Sequence, residues 1–254
     1  MTAVPIKDKG FFLNKSEFWD AIYLRYGFEL KRIPSTCVCG KSFSIEHVLT
    51  CPRGGYISMR HNVVRDTTAE FLKEVCKDVQ TEPKLMDLTG ESFKFKTTNI
   101  EDEARLDVAA RNFWCYGNKA FLDIRIFNPL AKSYINQSLS AAHTSNEKQK
   151  KREYNQRVID VEHGSFTPLV FSCFGGMSRE CSAFYKHLTT LIAEKREVPF
   201  YEVSSFIRTK ISFSLLRVAI ICFRGYRGPK FNDDVEKISD TEILTTVEDD
   251  RLSK

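Results

Sequence analysis

Cys37, Cys39, His47 and Cys51 follow the pattern C-x-C-x7-H-x3-C, and no other feature of this 254-residue chain restricts its folding so tightly. Thiolate and imidazole are the ligands a tetrahedral zinc ion takes, and four of them close its coordination shell. His47 and Cys51 are four apart, so one helical turn presents both on the same side. Gly40, directly after the second cysteine, permits the tight turn that the C-x-C pair needs. The C-x-C spacing is tighter than the common C-x2-C, and two buried cysteines beside an unrelated histidine are the alternative. A closed four-ligand site folds its own segment and leaves no open position for chemistry. The expectation is a structural zinc knuckle over residues 35–60, preceded by an N-terminal helical segment over residues 1–34.

The rest of the chain has the means to build a core. Hydrophobic residues make up 42% and include twenty phenylalanines, which argues against wholesale disorder. The formal charge of +5 is unevenly placed: eight acids against three bases from Phe231 to Lys254 leave −5 there, and therefore +10 on the rest. A basic body binds polyanions, or is simply a lysine-rich solvated surface. An acidic tail over residues 229–254 is expected to be disordered. The first residues lack the apolar core of a signal peptide, and Leu215 to Phe223 is too short to span a bilayer. An intracellular chain keeps its thiols reduced, so Cys76, Cys115, Cys173, Cys181 and Cys222 read as small buried apolar residues.

Periodicity predicts helices over Ser16–Leu30, Asn62–Asp78, Glu147–Glu162, Ser178–Glu194 and Val203–Arg224. It predicts strands over Val79–Leu85, Ala104–Ala110, Ala120–Phe127 and Phe166–Ser172, with a polar loop between the first two. That order implies an α/β fold: a small mixed central sheet flanked by helices. Two of the strands carry acids. Asp107 lies in Arg105-Leu106-Asp107-Val108-Ala109-Ala110, and Asp123 in Phe121-Leu122-Asp123-Ile124-Arg125-Ile126-Phe127. Carboxylates inside apolar strands are costly unless something compensates their burial, and a divalent cation does so for a neighbouring pair. Alternation puts Asp123 and Arg125 on one face of the strand. Acid and cation so placed suit metal-assisted phosphodiester hydrolysis, or form a structural Asp–Arg pair.

With these residues in view, the chain resembles the restriction-like endonuclease region of site-specific non-LTR retrotransposons. The resemblance runs from Cys37 to Tyr154 and rests on a Cys/His knuckle ahead of Arg60-His61-Asn62-Val63-Val64. Glu82-Pro83-Lys84-Leu85, Arg105-Leu106-Asp107, Asp123, and Lys150 with Tyr154 follow in order. It implies a restriction-endonuclease-like core over residues 61–228. Asp107 and Asp123 would be the Mg²⁺ or Mn²⁺ ligands there, with Glu82, or less closely Glu70, as an additional acid. The family's proline before the first aspartate is Leu106 here, and the lysine two residues after the second acid is Arg125. Arginine stays protonated and cannot act as a base, but it can clamp a phosphate. Families of this superfamily sometimes move the lysine to the following helix, where Lys150 or Lys151 stands. The run Lys148-Gln149-Lys150-Lys151-Arg152 also reads as a nuclear-localisation patch or a solvated basic face. His61 reads as a phosphate contact or a helix cap.

The expectation is thus a nuclear, metal-dependent DNA endonuclease of mobile-element origin with a structural Zn²⁺. RNA or an RNA–DNA hybrid is an alternative substrate, and no membrane is involved. A catalytically inactive nucleic-acid-binding protein on a decayed nuclease scaffold is the rival, favoured by Arg125 in the lysine position.

Overall fold

In a computed structural model that describes residues 10–31, 33–87 and 104–225, helices surround a small mixed sheet. Helix α1 spans Lys15–Tyr26. Asn14 caps it, accepting the Glu17 N–H while Glu17 accepts the Asn14 N–H, and Gly27 ends it at φ 69°. The predicted start at Ser16 is therefore two residues late, and the predicted run to Leu30 overshoots because Gly27 turns left-handed.

A short helix α2 (Ile45–Val48) carries His47. Helix α3 runs Tyr56–Val75, starting six residues before the expected Asn62. Its N-cap is Gly55, which supplies no side-chain oxygen, so the usual start signal is missing.

Strand β1 (Lys77–Thr81) stops earlier than the predicted Leu85. Glu82 adopts φ 50° and Pro83 has no N–H to give a ladder. Strand β2 is short, Val108–Arg111, and β3 spans Lys119–Phe127. Asp107 therefore lies just ahead of β2 and not inside a strand. Helix α4 occupies Leu139–Asp160, two turns longer at its start than predicted; Ser138 caps it by accepting the Ala141 N–H. Strand β4 (Ser165–Ser172), helix α5 (Arg179–Arg196, capped by Ser178) and helix α6 (Phe200–Arg224) complete the order. Most of the predicted polar loop, and all of the acidic tail, lie outside the described residues.

The sheet order is β1-β2-β3-β4, antiparallel at the first two junctions and parallel between β3 and β4. A parallel pair needs a crossover, and α4 supplies it. Alternation along β3 then divides its side chains. Leu122 and Ile124 join the larger core with Leu72, Phe184, Leu188 and Ile207 from α3, α5 and α6. Phe121 faces the opposite way and packs with Val158 and Tyr154 of α4. Asp123 and Arg125 share the parity of Phe121, and so belong to the α4 side.

The knuckle is tied to this body. Arg60 of α3 donates to the Leu49 carbonyl at 3.3 Å, and Asn128 at the end of β3 donates to the Glu46 carbonyl at 3.1 Å. Helix α1 is held by α6: Arg224 donates to both Asp20 oxygens, at 2.5 and 2.8 Å, and to the Lys31 carbonyl at 2.8 Å. Among the described residues, no helix is long and apolar enough to cross a membrane.

Candidate functional site

Local backbone gathers the four knuckle residues. The Gly40 N–H bonds to the Cys37 carbonyl at 2.8 Å and the Cys37 N–H to the Lys41 carbonyl at 2.9 Å, folding Cys37 and Cys39 into a turn with Gly40 at φ 83°. Ser44 caps α2 by accepting the His47 N–H, which brings the imidazole and the following Cys51 round to the same side. The four ligand atoms all lie within 4.8 Å of one another. Cys37 Sγ and Cys51 Sγ are 3.8 Å apart, and Cys39 Sγ is 3.1 Å from His47 Nε2. Zinc–sulfur bonds of ~2.3 Å and zinc–nitrogen bonds of ~2.0 Å give tetrahedral edges in this range. The cluster could therefore hold a metal ion such as zinc, and it is the only such cluster of three or more ligand residues among the described residues. Of the five remaining cysteines, Cys173, Cys181 and Cys222 are buried as expected. Cys76 is half-buried and Cys115 is exposed on the turn between β2 and β3, which corrects the uniform reading.

Of the two acids, Asp123 lies on the α4 side of the sheet, and Asp107 lies just ahead of β2, where α3 meets it. Asp123 in mid-β3 is 6% exposed. Lys150 reaches it from α4, with Nζ 3.2 Å from Oδ1 and 3.0 Å from Oδ2. Oδ2 is buried and accepts no properly angled hydrogen bond; its contact with Lys150 is one of charge. Asp107 is held differently. Its Oδ2 accepts the Ile124 N–H at 2.5 Å, substituting for the carbonyl a continued ladder would have offered, and lies 3.1 Å from His61 Nε2. The same imidazole nitrogen is 3.1 Å from the Ile124 carbonyl. Lys150 thus reaches both oxygens of Asp123, whereas for Asp107 the imidazole and the backbone N–H both fall on Oδ2.

Burial, and after it the charge of Asp107, raises the Asp123 carboxyl to about 6, against the opposing pull of Lys150. Burial works against charge on Lys150 too, but Asp123 outweighs it and the ammonium is held above its ordinary range. His61 follows the same logic: burial disfavours the imidazolium, and the hydrogen bond to Asp107 raises it on balance. Lys150 also lies 5.3 Å from the centre of the Tyr154 ring, its neighbour one helical turn on.

The other predicted residues fall less centrally. Glu82 contacts Asp107 through its backbone, donating its N–H to the Asp107 carbonyl at 2.9 Å, while its carboxylate is taken by Arg65. Glu70 is exposed on α3. Arg125 is half-buried on β3, and among the described residues its guanidinium has no hydrogen bond or ion pair. Lys151 pairs with Glu180 at 2.6 Å at the surface and does not join Asp123. His61 is the residue whose place the sequence pattern left undefined. Its partner is 46 residues away, and only the docking of α3 across β3 brings the two together.

Neither a protein family nor a curated protein matches this chain.

Proposed function

We propose that the chain is a metal-dependent endonuclease that hydrolyses phosphodiester bonds in DNA, with a structural zinc knuckle beside a restriction-endonuclease-like core. A mobile-element origin and action in the nucleus belong to the same reading. The observation that carries it is the contact of Lys150 with Asp123, made beside Asp107 across 27 residues of chain. An acid pair with a lysine beside it suits metal-assisted phosphodiester hydrolysis. The donor set fits a hard divalent cation: the buried Asp123 Oδ2 lacks a hydrogen bond, and the contacts to Asp107 fall on one oxygen.

Bound by Asp107 and Asp123, Mg²⁺ or Mn²⁺ would supply Lewis acidity at the phosphate and lower the pKa of the attacking water. The chain's own residues do the rest. Ile124 and His61 fix the Asp107 carboxylate from one side. Lys150, protonated through its contact with Asp123, presents N–H groups that orient the attacking water and stabilise charge gathering on the phosphate. Arg125, with no partner of its own among the described residues, is available to clamp a phosphate oxygen.

A plasmid-nicking assay with Mg²⁺ or Mn²⁺, run beside Asp107→Ala and Asp123→Asn, tests this. The wild type should nick, and both variants should lose cleavage while binding DNA as well or slightly better, because a repelling charge has gone. Wild-type protein that binds DNA but cuts it in neither metal would establish the inactive nucleic-acid-binding alternative.

A further inference from the structure

Helix α1 turns its aromatic residues outward. Phe18 is 48% exposed, Trp19 51% and Tyr26 63%, and Phe28 just past the helix is 52% exposed. The helix instead buries Asp20 and Ala21. At about 100° per residue, Trp19, Ile22, Tyr26, Phe18 and Arg25 all fall within about 80° of Lys15, while Glu17 and Asp20 lie on the far side. One arc of the helix therefore carries aromatic rings and cations and no carboxylate.

The rings form a chain. Phe18 lies 6.2 Å from Trp19, Trp19 6.4 Å from Tyr23, Tyr23 5.8 Å from Phe28, and Phe28 stacks on Tyr26 at 5.9 Å and 26°. Lys31 stands 6.0 Å over the Tyr23 ring. The nearby charges are not symmetrical. Glu17 is used in the helix cap and Asp20 in the pair with Arg224, whereas neither Lys15 nor Arg25 has an ion-pair partner among the described residues. Glu29, after the helix, is the exposed acid of the segment.

We infer that this face of α1 is a stacking platform for single-stranded nucleic acid, with bases on Trp19, Tyr26 and Phe28 and phosphates against Lys15, Arg25 and Lys31. Base stacking on exposed aromatics combined with a cationic track is how sequence-tolerant single-strand binding works. A helix lying on a membrane segregates cations to the face opposite its aromatics, and here the two share one arc. Pairing with a second copy would set Lys15 and Arg25 against like charges. The platform goes beyond the proposed cleavage chemistry, because binding is measured apart from cutting.

The test uses the whole chain without added divalent metal. Fluorescein-labelled oligo-dT of about 20 nucleotides and a duplex of equal length serve as probes. Trp19 and Trp114 are the chain's two tryptophans, so the part of the quench that Trp19→Ala removes reports stacking on Trp19. Oligo-dT should quench the wild type. Trp19→Ala combined with Tyr26→Ala should weaken oligo-dT binding by about 10- to 100-fold and leave duplex binding within about twofold. Lys15→Gln with Arg25→Gln should lower the salt dependence of oligo-dT binding by about one to two phosphates' worth. Far-UV circular dichroism and zinc content establish that the variants fold, as expected for exposed positions. Failure of the wild type to bind oligo-dT overturns the inference, as does an equal loss of single-strand and duplex binding. So does wild-type self-association, or binding to anionic vesicles, that the aromatic variant abolishes while oligo-dT binding stays unchanged. Plasmid nicking by wild type and variants is read separately, so a non-cleaving wild type would overturn the nuclease reading alone.

Discussion

Half-buried Lys150 on α4 and buried Asp123 on β3 form the ion pair around which the acidic site is arranged, with Nζ 3.0 Å from Oδ2. Lys151, the next residue, pairs with Glu180 at the surface. The two lysines should therefore behave differently. Lys150→Ala is expected to slow cleavage by about 10²–10³-fold, the range for losing a donor that stabilises developing charge. It also leaves Asp123 buried without a counter-ion, at a cost of about 3–5 kcal/mol of stability. Lys150→Arg keeps the charge pair and the fold, so a Lys150→Arg variant that cleaves more slowly separates loss of chemistry from loss of structure. Lys151→Ala should cost little beyond DNA affinity, since an exposed pair contributes ~0–1 kcal/mol. Single-turnover nicking rates decide this, and unchanged rates in Lys150→Ala would transfer the role to Arg125. Arg125→Lys would then keep or raise activity.

His61 acts through Asp107. Removing a hydrogen-bonding residue that orients a metal-ligating carboxylate typically weakens metal affinity by about 10–100-fold. His61→Ala should show that loss for Mn²⁺ by calorimetry, and His61→Gln, which keeps an N–H donor, should recover part of it. Equal Mn²⁺ affinity in wild type and His61→Ala would mean that the Ile124 N–H alone positions the carboxylate.

Asp123 gives the site a pH dependence of definite sign. Its folded-state pKa is raised to about 6, so between its ordinary value of 3.8 and 6 the folded state binds more protons than the unfolded one. Metal-free stability should accordingly fall as pH rises through that window. The raised His61 contributes in the same sense, its stabilisation present below its unfolded pKa and lost as pH rises through the folded one. On the proposed reading a divalent cation would bind the ionised carboxylate, so the rise in Tm with Mn²⁺ should be larger at pH 7.5 than at pH 5.5. Thermal unfolding at the two pH values checks this, and Asp123→Asn should flatten the difference.

The knuckle should carry about one zinc per chain. Cys51→Ser should release it and unfold the region around Cys37 to Cys51, because zinc binding contributes on the order of 10 kcal/mol to such modules. Elemental analysis of protein purified without chelators provides the readout, and a zinc-free wild type would rule this assignment out.

The parts of the site legible in the sequence were those with short-range grammar. Four ligands between Cys37 and Cys51 satisfy a local spacing rule, and Asp123 stands out because an acid interrupts an apolar strand. Lys150 with Tyr154 follows from the helical repeat, since both share the face turned towards the sheet. What escaped depends on docking or on missing signals. The contact of His61 with Asp107 exists only because α3 crosses β3. Helix α3 starts at a glycine, and α4 begins in a polar stretch around Leu139 whose periodicity is faint. Asp107 reads as a strand residue by composition, yet its own carboxylate takes the Ile124 N–H and displaces the rung that would have kept it in the ladder.

The grip of Arg224 on Asp20 spans 204 residues. Asp20 leaves the ribosome 204 residues ahead of its counter-ion. At roughly 5–20 residues per second, synthesis separates the two by about 10–40 s. During that interval α1 has a carboxylate destined for burial, an apolar underside at Ala21 and Leu24, and no helix to pack them against. The N-terminal segment therefore cannot settle as it emerges, and its docking belongs to the end of folding, after the sheet and α3 have formed the surface on which α6 lies.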